Sequence, residues 1–122
     1  MEKIKIYFQH EKAGEENWKM VLEATANNRG IEALVETPGK NRKILPQKFD
    51  IYLLHVTEVS IKEVDILRKK QPKSLFYGIF GGGRLQQYPD FSPYFDKVYV
   101  GFGGKEDYDE IFETIKESRR QK

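Results

Sequence analysis

Lys48-Phe49-Asp50-Ile51-Tyr52-Leu53-Leu54-His55-Val56-Thr57 is the stretch that decides the fold. Its apolar run is continuous rather than alternating, as in a strand covered on both faces. The run stops at a polar cluster of His55, Thr57 and Glu58. Phe49 to Val56 therefore reads as the central strand of a parallel sheet, with any site at that strand's carboxyl end.

Working outward, similar segments recur. On the amino-terminal side, Ile4, Ile6 and Phe8 alternate with Lys3, Lys5 and Tyr7, giving a first strand over Ile4 to Phe8. That alternation is cleaner than a strand buried on both faces should show. Glu15 to Asn28 places Trp18, Val21, Leu22 and Thr25 on one stripe of a helix. Glu15 and Glu16 suit its first turn, and Gly30 suits its stop. Ile31 to Thr37 is a second strand, broken by Pro38-Gly39. Lys40 to Gln47 is basic, with only Ile44 and Leu45 to bury, and fits a short helix or an irregular crossover.

On the carboxyl-terminal side, Ser60 and Glu63 form a capping box, so Ser60 is a helix cap rather than a nucleophile. The helix it opens runs to about Lys70 and buries Ile61, Val64 and Leu67. Leu75 to Phe80 is a fourth strand that runs into Gly81-Gly82-Gly83-Arg84. The segment to Tyr94 contains Pro89 and Pro93 and can hold only a short helix. Lys97 to Phe102 is a fifth strand ending at Gly103-Gly104-Lys105. The last helix, from about Glu106 to Ser118, has Tyr108, Ile111, Phe112 and Ile115 as its stripe.

Five strands alternating with helical segments in 122 residues predict one α/β domain. The expected fold is a flavodoxin-like doubly wound sheet of five parallel strands in order 2-1-3-4-5, with helices on both faces. Composition narrows the function. Charged residues make up 33% of the chain, both signs interspersed, and the net charge is only +2, which argues against a nucleic-acid module. There is no cysteine, hence no disulfide framework and no thiolate nucleophile. No apolar run reaches the roughly 18 residues of a membrane span, and the charged amino-terminal stretch does not read as a signal peptide. A cytoplasmic location is expected.

The chain has two histidines, and each ends a predicted strand: His10 after the first and His55 after the third. In the 2-1-3-4-5 order these strands are neighbours. Glu11 and Glu58 follow the histidines. The four residues are candidates for acid–base chemistry or for a metal site with Glu11 or Glu58 as a further ligand, or are polar residues that merely end strands. No metal-ligand spacing accompanies them, and no metal or cofactor is expected. Gly81, Gly82, Gly83 and Arg84, with Gly103, Gly104 and Lys105, either cradle a phosphate or make tight turns. Tyr88 to Tyr94 reads as an aromatic, proline-stiffened loop suited to a protein contact or to packing.

The layout resembles the receiver domain of two-component response regulators. The likeness is carried by Phe49 to Val56 and by Phe95-Asp96-Lys97-Val98-Tyr99-Val100 through Ile115. It implies that the family's phosphoacceptor aspartate falls at or beside His55, and its acidic pair on Gln9-His10-Glu11. Its hydroxyl residue falls in Phe80-Gly81-Gly82, and its lysine-proline on Gly101-Phe102. The implied protein is a degenerate receiver: a non-catalytic regulatory module with a protein partner or self-association, or a small phosphate-bearing ligand at the sheet's carboxyl edge. The stretch Lys48 to Gly104 also resembles half of a GT-B glycosyltransferase, and Toll/interleukin-receptor-like hydrolases share the strand order. The alternative function is therefore an enzyme acting on a nucleotide or phosphorylated small molecule through His10 and His55.

Overall fold

The computed structural model describes residues 2–9, 14–38, 48–55, 61–80, 92–100 and 105–120. The chain runs through β1 (Glu2–Phe8), α1 (Glu15–Asn28), β2 (Ile31–Glu36), β3 (Ile51–His55), α2 (Ile61–Lys70), β4 (Leu75–Phe80), β5 (Lys97–Val100) and α3 (Lys105–Arg120), with a single 3-10 turn at Ser92–Tyr94 before β5. The strands form one sheet in the order β2-β1-β3-β4-β5, every pair parallel. This is the expected doubly wound order. The starts of β1, β3 and α3 and the ends of β2 and α3 differ from the expected bounds by a residue or two, and the expected strand ends at Val56 and at Gly101-Phe102 lie outside the described residues.

Strand alternation sorts the apolar side chains into two layers. Ile4, Ile6, Phe8, Ile51, Leu53, Tyr77 and Ile79 point to one face and pack with Leu22 and Ala26 of α1 and with Tyr108, Ile111, Phe112 and Ile115 of α3. Tyr7, Tyr52, Leu54 and Phe76 point to the other face and pack with Phe49, with Val64 of α2 and with Phe95. Both layers are needed because the central strands present apolar groups on both sides. All five residues of β3 are buried, as its continuous apolar pattern predicts.

The cleaner alternation of β1 has a structural cause. Its α1/α3 face is fully covered, and Ile4, Ile6 and Phe8 are buried. On the other face only Tyr7 joins the α2 layer, while Lys3 and Lys5 are exposed. Lys3 there lies 4.0 Å from Glu32 of β2. Helix α2 packs over β3 and β4, so the amino-terminal half of β1 lacks a described helix above that face.

Local chemistry fixes the element ends. Helix α1 starts after Gly14, whose carbonyl accepts from Trp18 N at 3.0 Å, and Glu15 and Glu16 occupy its first turn. It stops at Arg29 and Gly30, whose N–H groups donate to Ala26 O and Asn27 O. Gly30 has φ +72°, a conformation glycine adopts without a Cβ penalty. Asp50 sets the entry to β3. Its Oδ2 accepts from Lys5 N at 2.8 Å, its N–H donates to Lys5 O, and its carbonyl accepts from Leu75 N.

Candidate functional site at the carboxyl edge of the sheet

In a parallel sheet with helical crossovers, every strand delivers its carboxyl end to one rim, and every following helix begins there. Here that rim carries the ends of β1 at Phe8, β3 at His55, β4 at Phe80 and β5 at Val100, and the starts of α1, α2 and α3. Strand β1 pairs with β2 on one side and β3 on the other. The switch point, where ligands of such sheets sit, is therefore between β1 and β3.

His55 is the last residue of β3 and is 1% exposed. It lies in register with Ile79 of β4. Alternation from Ile51 and Leu53 puts it on the α1/α3 face. The central strand thus delivers an imidazole to the rim, as the sequence led one to expect. His10, Glu11, Glu58, Gly81, Gly82, Gly83, Arg84, Gly103 and Gly104 lie outside the described residues. Lys105, expected as the cation of a glycine turn, is the first residue of α3. The aromatic loop lies mostly outside the described residues, and its end forms the 3-10 turn, with Tyr94 packed against Phe95 and its neighbours.

Two further buried polar groups stand at this rim. Glu15, the first residue of α1, is 6% exposed. Gln9 follows β1 directly, and its N–H donates to Leu53 O at 2.9 Å, extending the β1–β3 ladder by one step. The Gln9 side chain is 1% exposed, and its Oε1 has no hydrogen-bond partner among the described residues. An acceptor buried in this way costs about 1–3 kcal/mol. Alternation from Tyr7 places it on the α2 face, opposite to His55. Read from sequence, Gln9 has no role of its own beyond lying in Gln9-His10-Glu11, where the receiver resemblance puts the acidic pair. The available signal was a polar residue placed directly after a strand whose last residues are apolar.

Magnesium takes carboxylate oxygens. Gln9, directly after β1, and His55, which ends β3, offer an amide and an imidazole where such a site would need carboxylates. Among the described residues no group of three or more His, Asp or Glu side chains is placed to hold a metal ion. No helix among them is long and apolar enough to cross a membrane. Two open depressions lie in the described surface: one at Arg29, Gly30, Ile31 and Lys116, around the start of β2, the other at Lys5, Leu34, Glu36, Lys48 and Phe49, which reaches the end of β2.

Comparison with known proteins places the fold. No family model matches the chain, and no curated protein matches it. Solved structures do. A streptococcal protein, one of a family of redox sensors evolved from two-component response regulators, superposes with a TM-score of 0.72 at 14% identity, over 96% of this chain and 52% of that one. A CheY-like receiver domain from Methanospirillum hungatei gives 0.68 at 17% identity, over 100% of this chain and 99% of that one. The response regulator TrrA of Thermotoga maritima, bound to magnesium and beryllofluoride, gives 0.63 at 17% identity, over 96% and 98%. This chain spans about half the length of the streptococcal protein and nearly all of the other two. At these identities the likeness is one of fold: the chain has the receiver fold of response regulators.

Proposed function

We propose that this chain is a regulatory binding module on a receiver scaffold, acting through protein contacts or a small anion at the carboxyl rim, without aspartyl phosphorylation. One observation carries the reading. The receiver resemblance puts the phosphoacceptor at or beside the residue that ends β3, and that residue is a buried histidine. An imidazole cannot form an acyl phosphate. Gln9, at the end of β1, likewise offers an amide in place of a magnesium-binding carboxylate.

The test is direct. The protein is incubated with acetyl phosphate and magnesium and then weighed intact. No phosphoryl adduct is expected, and beryllofluoride with magnesium leaves the thermal midpoint unchanged. An adduct mapped to an acidic side chain overturns the proposal. Sizing over a range of protein concentrations then reads out self-association.

A further inference from the structure

The buried acceptor of Gln9 is unexplained by the packing of the described residues around it. Its backbone is tied to β3 through the bond to Leu53 O, and its side chain is 1% exposed. Oε1 nevertheless finds no donor among the described residues. An apolar side chain of the same length would extend the layer formed by Tyr7, Leu54 and Val64 without a dehydrated oxygen. Polar groups that work against stability in this way collect where a ligand completes them.

We propose that Gln9 is a ligand-contact residue: its Oε1 accepts a hydrogen bond from a hydroxyl group of a small phosphate monoester held at the rim. The inference rests on the small-anion form of the reading above and deepens it. Helix α2, on the face that alternation assigns to Gln9, begins at Ile61 on the rim that Gln9 occupies. The partial positive charge of helix starts favours an anion there. A fully ionised oxyanion has only acceptors and cannot satisfy Gln9 Oε1. The ligand therefore needs a donor beside its charge. A phosphorylated polyol, sugar or nucleoside carries both; sulfate carries only the charge.

Thermal denaturation of the wild type and Gln9→Met, followed by Trp18 fluorescence, tests this with ribose 5-phosphate and with sulfate at matched ionic strength. Ribose 5-phosphate is expected to raise the wild-type midpoint further than sulfate does. Without ligand, Gln9→Met is expected to melt a few degrees above the wild type, and it loses the extra shift. Gln9→Leu gives the same signs if the methionine variant does not fold. A variant that melts lower than the wild type, or that keeps the extra shift, overturns the assignment. Equal wild-type shifts with both probes overturn it while leaving an anion at the rim. No shift with either removes the small-anion form of the rim reading as well.

Discussion

Gly78 lies under the ring of Phe95, and a Cβ built on it would stand 3.1–3.3 Å from three ring carbons. Phe95 is itself buried in the α2 layer, so the ring cannot simply swing away. Alanine at this position gains about 0.5–1 kcal/mol from the unfolded chain, but overpacking costs about 1–3 kcal/mol. Gly78→Ala is expected to lose about 1 kcal/mol net, read from urea unfolding. Asp96 works by hydrogen bonding. Its Oδ2 accepts from Phe76 N at 2.8 Å and faces Arg68 Nη1 at 3.3 Å. The ion pair is half-exposed and contributes little, so the backbone bond dominates. Asp96→Ala should cost about 1–2 kcal/mol, and Asp96→Asn, which keeps an acceptor, clearly less. Neither role is legible in the sequence. A glycine in an apolar strand and an aspartate before another strand carry no mark of the partner they meet.

At the scale of elements, α1 and α3 share one layer, and the junction after α1 is tied to α3 by charge. Arg29 lies 3.5 Å from Asp109 and is also paired with Glu113. Arg29→Ala is expected to cost about 1 kcal/mol or less at low salt and to approach zero in high salt, because exposed pairs are screened. Gly30 beside it is the stricter requirement. Its φ of +72° costs a residue with a Cβ about 1 kcal/mol. Gly30→Ala should therefore lower stability by about that amount with no dependence on salt, which separates the two effects. The helix, its stripe and its glycine stop are legible in sequence, since each depends on neighbours within a turn or two. The choice of α3 as its ion-pair partner is not.

For the whole molecule, we propose that the sheet and its two layers unfold as one domain, so Trp18 fluorescence and far-ultraviolet circular dichroism should give coincident transitions. Trp18 stacks on Tyr108 at a ring distance of 5.7 Å, so the one tryptophan reports on the α1/α3 layer. Tyr52 reports on the other. Its ring lies parallel to that of Phe76 at 4.7 Å, and burial raises its phenol above the ordinary 10.0, against a smaller downward pull from a hydrogen bond to the Phe49 backbone. Above about pH 10 the unfolded chain releases this proton while the folded chain keeps it. The associated stability is full below that pH and is lost as pH rises through the folded value. The stability difference between wild type and Tyr52→Phe should therefore shrink from pH 9 upward, measured by urea unfolding at each pH.

The order of strands and helices, the two-sided burial of β3 and the arrival of His55 at the carboxyl rim were all readable from the sequence. They follow from local periodicity and from the handedness of parallel crossovers, which short stretches of chain already encode. Only the tertiary structure decided that Lys3 and Lys5 are exposed beside a buried Tyr7, that Asp50 binds the backbone of Lys5 at a separation of 45 residues, and that Gln9 is buried with its acceptor unfilled among the described residues. Whether a polar group is paired or stranded depends on which distant surfaces close over it. That is set by the packing of layers, which no run of adjacent residues specifies.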